Sequence, residues 1–254
     1  MNTLTIARKE LNSYFRSPIA YGVMAFFALI AGYFFYVAVV FFVRRGVESS
    51  MMGQSMPMDM NDFVIRPLFS NVSVIGLFLI PMITMRLFAE EKRSGTIELL
   101  VTSPLRDLEI ILGKWLAALI LYAAMLGISA LSLAVLFAYG QPDWKPILVG
   151  YLGLLLLGGA LLAIGTFIST CTKNQIVAGV AGFAICLLLW VLDWASSFGT
   201  TVTDKVISYL SVLQHFDSFS KGVLDSKDVL FYLSVIFVGL FLTARSLESL
   251  RWRA

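Results

Sequence analysis

Six long apolar stretches, residues 19–43, 68–87, 110–137, 146–169, 175–194 and 229–244, fill most of this 254-residue chain. A bilayer's hydrocarbon core takes about 20 apolar residues for each helical crossing. The stretches leave little sequence for a separate soluble unit. Only 14% of the residues are charged and 59% are hydrophobic, where soluble domains carry about 25% charged residues. The expected fold is an all-α polytopic membrane protein, one domain over 1–254 with six transmembrane helices. The net charge of +3 is too small to argue for nucleic acid as a partner. Cys171 and Cys186 have no metal-ligand spacing. They read as small membrane-compatible residues, with no disulfide expected.

Orientation follows from the placement of lysine and arginine, which favour the cytosolic side. With both termini inside, 12 basic residues lie inside and 7 outside. Both termini are therefore expected in the cytosol, although the Arg44-Arg45 pair runs against this. The N-terminal apolar run is too long for a signal peptide, whose core spans roughly 7–15 residues. Ahead of it, Leu4, Ala7, Leu11, Tyr14 and Phe15 recur at helical spacing, with Arg8, Lys9, Asn12 and Arg16 on the other side. That is the pattern of a helix lying in the membrane interface; a disordered basic tail is the alternative. Ser17-Pro18 then breaks the helix and lets the first span begin.

The first outer loop is rich in methionine, with Met56-Pro-Met-Asp-Met60 alternating. Thioether sulfur is a soft ligand suited to Cu(I), so Met56, Met58 and Met60 form a copper candidate. The other reading is an adaptable, moderately apolar loop. Pro81 within the second span predicts a kink, either static or a hinge. Gly159 with Ala163, Gly165 with Ser169, and Ala178 with Gly182 are small-xxx-small pairs that allow close helix approach. The outer segment 195–228 reads as short interfacial helices over 204–213, with Thr203 as a cap, and over 216–224. A stand-alone intramembrane enzyme would need paired ionisable groups at bilayer depth. The spans offer almost none, since Asp193 sits near an outer end beside Trp190 and Trp194.

A charged island, residues 88–104, separates the second and third spans. Arg86 is followed by Glu90, Glu91, Lys92 and Arg93. Ser94-Gly95 gives a turn, and Thr96-Ile97-Glu98-Leu99-Leu100 supports a short helix. Ser103-Pro104 opens the next one, with Asp107 and Glu109 near its positive end. Ile97, Leu99 and Leu100 offer a small apolar key and Glu98 a charge. Physical chemistry alone fits equally well a helix–turn–helix laid along the membrane and a solvated loop.

The run Glu90-Glu-Lys-Arg-Ser-Gly-Thr-Ile-Glu-Leu-Leu100, followed by Ser103-Pro104 and Gly113-Lys114, resembles the signature of membrane subunits of ABC-2 type ATP-binding cassette transporters. The likeness covers nearly the whole chain, and is nearest to gliding-motility (GldF-like) permeases and to the related NosY-like permeases of copper-enzyme maturation. It implies that residues 1–17, with Arg8, Lys9, Glu10, Leu11 and Phe15, are the elbow helix. It implies that Glu90, Glu91, Arg93, Gly95, Thr96, Ile97, Glu98, Leu99 and Leu100 form the coupling region that docks on a nucleotide-binding subunit. The chain lacks a Gly-rich phosphate loop, so ATP and Mg are expected in a separate ATPase polypeptide, with no cofactor in this chain. The partners so implied are ATPase subunits, a second permease copy or a paralogue, membrane lipid, and an accessory extracytoplasmic protein. The setting so implied is the bacterial inner membrane, and the activity is export, force transmission or copper maturation.

Overall fold

A computed structural model describes residues 2–52, 59–98, 105–196, 209 and 211–251. Helix α1 spans Asn2–Arg16 and α2 spans Pro18–Met51. A π-helical turn at Asn61–Ile65 runs into α3, Arg66–Thr84. The short α4 covers Ala89–Ser94. Then come α5 (Asp107–Tyr139), α6 (Trp144–Cys171), α7 (Gln175–Ser196), α8 (Val212–Ser220) and α9 (Ser226–Arg251). The described residues hold six helices long and apolar enough to cross a membrane, so the chain is a polytopic helical protein.

Local chemistry sets the joints. Ser17 has extended backbone (φ −91°, ψ 134°) and its hydroxyl accepts the Ile19 N–H, while Pro18 occupies the first turn of α2. Glu109 accepts the Arg106 N–H at 3.2 Å at the start of α5. Ser211 caps α8 through the Gln214 N–H at 3.3 Å. The short helix before α9 therefore begins at Val212 rather than at Phe216, and Leu213 belongs to it. A serine cap outweighed the apolar run that had assigned Leu213 to the preceding stretch. That preceding stretch, 204–213, otherwise falls almost wholly outside the described residues.

The spans are not equivalent. In the most apolar window of α3 with its flanks 72% of residues are buried, and in that of α6 61%, whereas in α2 the figure is 11% and in α7 17%. Helices α3 and α6 are thus the core, and α2, α7 and α9 form its outer wall. The α3–α6 contact is close because glycine removes the obstruction. A Cβ at Gly165 would lie 2.4 Å from Thr84 Oγ1, and one at Gly158 would lie 2.1 Å from the Tyr122 ring of α5. The Gly165–Ser169 pair is thus spent inside the subunit.

Candidate functional site

One end of the bundle gathers α1, α4, the start of α5 and the end of α6. Helix α1 lies along α5, with a Cβ at Gly113 only 2.7 Å from Ile6. Ala7 is buried, Leu11 is half-buried and Tyr14 packs on the core. Arg8, Lys9, Asn12 and Arg16 are exposed, but so are Leu4 and Phe15. The inward face therefore runs through Ile6, Ala7, Glu10, Leu11 and Tyr14, and Leu4 belongs to the outer side. Phe15 instead meets Tyr21 of α2 edge-on, ring centroids 6.0 Å apart.

At the centre of this end is Lys114, 2% exposed. Its Nζ donates to Glu10 Oε1 of α1 at 3.1 Å and to Glu91 Oε1 of α4 at 2.8 Å. It also sits 5.3 Å from the centre of the Phe88 ring. A buried ammonium survives only when paired. Here two carboxylates from separate helices supply the pairing, so one cation ties α1, α4 and α5 together. Glu91 Oε2 is buried and has no hydrogen-bond partner among the described residues. The nearby Tyr14 phenol is pushed above its ordinary value by burial and then by the Glu10 carboxylate, so it stays neutral.

Helix α4 is held on its other side by α6. The Ser169 hydroxyl accepts the N–H groups of Phe88 and Ala89 at 3.0 and 3.1 Å, two donors that the first turn of a helix leaves free. It lies 3.4 Å from the Met85 carbonyl, to which it donates. The Lys92 ammonium reaches the Thr170 carbonyl. Arg86 grips Glu90 with two bonds, 2.9 and 3.2 Å. Gly95 closes α4 in the left-handed region at φ 74°, where a side chain is costly.

On either side of the turn, Arg93 and Thr96 are exposed, and the Thr96 hydroxyl pairs with that of Ser94 at 2.8 Å. Ile97 is half-buried against this chain's own core, so it is less free as an apolar key than the sequence implied. Glu98 is exposed and helical. Leu99 and Leu100 lie outside the described residues. So do Met56 and Met58; the Met60 sulfur packs on the turn at Gly140, 2.6 Å from where a Cβ would stand.

Sequence reasoning counted Lys114 as a topology charge and found almost no ionisable group inside the spans. The structure corrects this, for Lys114 lies inside α5 and is buried. The available signal was a lone lysine two turns into an apolar helix, which needs a partner at that depth. Ser169 had been read only as a small residue.

A family model for ABC-2 family transporter proteins matches residues 4–244. Two curated relatives, each named "Probable multidrug ABC transporter permease YbhR", come from Escherichia coli strain K12 and Escherichia coli O157:H7. Each is 24% identical over 168 residues, which cover 65% of this chain and 44% of the relative. The chain thus spans less than half the length of the curated relatives it matches. The family match runs through all six long helices and the Lys114 node, and the chain belongs to the ABC-2 family of transporter proteins.

Proposed function

We propose that this chain is the membrane half of an ATP-driven exporter, moved through α1 and α4 by separate ATPase subunits. The observation that carries the reading is Lys114, which joins the elbow helix and the coupling region through one buried cation. Displacement of α4 by a docked ATPase would reach α1 and α5 through that cation, and α6 through Ser169. Residues 88–104 are the docking region in this reading, with Glu98 and the Gly95 turn presented to the partner. Residues 1–17 are the elbow and 195–228 an outer cap, within one domain over 1–254. ATP and Mg bind in the partner.

The chain would sit in a bacterial inner membrane with both termini cytosolic. The mostly exposed walls of α2, α7 and α9 favour a second permease half, identical or paralogous. The printed name of the Escherichia coli relatives makes apolar or amphipathic small molecules the cargo class to test first. The likeness to GldF-like and NosY-like permeases keeps force transmission and copper maturation as the alternative.

The test is co-expression with the cognate ATPase and reconstitution into liposomes. Gly95→Pro forces φ near −65° onto a left-handed turn, and ATPase co-purification should fall. Lys114→Met should keep the ATPase bound yet reduce cargo-stimulated hydrolysis at least about tenfold, within the usual 1–3 kcal/mol of coupling between sites. Wild-type stimulation in both variants would mean that the partner is gripped elsewhere.

A further inference from the structure

Helix α1 turns one face to α5 and leaves two adjoining stripes towards the outside. At 3.6 residues per turn, positions 4, 8, 11 and 15 fall along one line and positions 5, 9, 12 and 16 along the next. The first line holds Leu4, Arg8, Leu11 and Phe15, and the second holds Thr5, Lys9, Asn12 and Arg16. All of these are exposed except Leu11, which is half-buried. Arg8 therefore sits in a largely apolar stripe, at its border with a polar one.

The basic charge of this face is unopposed. Glu10 is the one acid of α1, and it points the other way, to Lys114 at 3.1 Å. Lys9 keeps only a loose contact with it, at 3.8 Å. Among the described residues neither Arg8 nor Arg16 makes an ion pair. Glu109 at the start of α5 is occupied by Asn2 Nδ2 at 3.2 Å and by the Arg106 N–H at 3.2 Å. Apolar surface continues beside the helix. Asn2 meets Glu109 and Ile6 meets Gly113, so α1 covers that line of α5. Leu108 and Leu112, one position back, flank it and are exposed.

We propose that the outer face of α1 is a binding site for anionic phospholipid, and that the bound lipid keeps Glu10 seated on Lys114.

Leu4, Phe15, Leu108 and Leu112 would enter the acyl region, and Arg8, Lys9 and Arg16 would lie among the headgroups. A guanidinium matches a phosphate with paired hydrogen bonds. Helices of this kind bind through buried apolar area together with attraction to anionic lipid. A zwitterionic headgroup carries the same phosphate but cancels its charge, so net negative charge is what three unopposed bases select.

The effect on the Lys114 node follows from the same geometry. The apolar strip is continuous across α1 and α5 only while α1 lies on α5. A membrane that favours the continuous strip favours the seated helix, and with it the contact of Glu10 with Lys114. Lys114 also holds Glu91 of α4 at 2.8 Å, so lipid charge would be felt at α4. The significance of this for transport rests on the function proposed above, whereas the lipid site does not require it.

The test uses the full chain, without ATPase, in nanodiscs of phosphatidylcholine alone or mixed with phosphatidylglycerol in equal parts. Its outcome is thus independent of where an ATPase docks. Amide exchange is followed over Asn2–Arg16 and Ala89–Ser94. In both segments it should slow at least about fivefold in the mixed bilayer, the contribution of one basic residue near an anionic surface. Arg8→Gln combined with Arg16→Gln should abolish the difference between the two bilayers. Lys114→Met should keep the slowing in α1 and lose it in α4. Glycerol phosphate added to phosphatidylcholine nanodiscs should change nothing, which separates a lipid from a free phosphate. Exchange indifferent to lipid charge in the wild type, as an acidic soluble partner for this face predicts, overturns the proposal. So does a wild-type slowing confined to α1, a slowing in α4 that survives Lys114→Met, one that survives loss of both arginines, or an equal slowing by glycerol phosphate. The wild-type comparison decides even where a variant fails to fold.

Discussion

Lys114 has three donors and two carboxylate partners, and each partner is itself partly buried. Lys114→Met preserves the stem but leaves Glu10 and Glu91 facing each other without a cation. Removing one member of such a group costs about 3–5 kcal/mol, read as a lowered thermal midpoint in detergent. Adding Glu10→Gln and Glu91→Gln should recover much of that loss, because the repulsion goes with the charges. Additive losses in the combined variant would show that Lys114 contributes only packing. Ser169 acts on a smaller scale. Ser169→Ala leaves two backbone donors without an acceptor, at about 1–3 kcal/mol for each one left unsatisfied. The sequence announced the charge of Lys114 and its place after Gly113. It did not announce the partners, because Glu10 is 104 residues away and Glu91 is 23. Which helices converge on one depth is a property of packing, not of any local run.

At the level of elements, the spans were legible because bilayer crossing imposes length and apolarity on every helix. Their ends were less so. Helix α2 runs on to Met51, past the last strongly apolar residues, because a helix in progress continues through Arg44 and Arg45 at little cost. In α1 the spacing of Leu4 was compatible with an inward face, yet Gly113 admits Ile6 instead. Glycine positions that looked alike in sequence are also unlike in space. A Cβ at Gly158 would stand 2.1 Å from the wholly buried Tyr122, while one at Gly127 would meet nothing within 4 Å. Gly158→Ala should therefore abolish recovery of folded protein or lower its midpoint strongly, by overpacking of about 1–3 kcal/mol or more. Gly127→Ala should be neutral or slightly stabilising. Equal effects at the two sites would contradict the α5–α6 contact.

For the whole molecule, the two ends carry different chemistry and must face different compartments. Impermeant thiol reagents added to intact cells should label Tyr139→Cys and spare Thr96→Cys in a cysteine-free background. The opposite pattern would reverse the orientation and remove residues 88–104 from any cytosolic partner. Helix α6 touches both ends. Its last turns hold α4 through Ser169 and Thr170, and its first turns carry α8, where Pro146 lies under Gly222 and Gly153 under Phe219. At 1.5 Å per residue its 28 residues reach about 42 Å. Its glycine-seated contacts with α3 and α5 leave little slack for it to bend. In the reading proposed above, a force applied at Ser169 would be carried along this stiff helix towards α8, with the Gly158 and Gly165 contacts as its waist. An event at one end of the bundle would then be felt at the other, where His215 joins α8 to Asp228 of α9, without any ligand crossing between them.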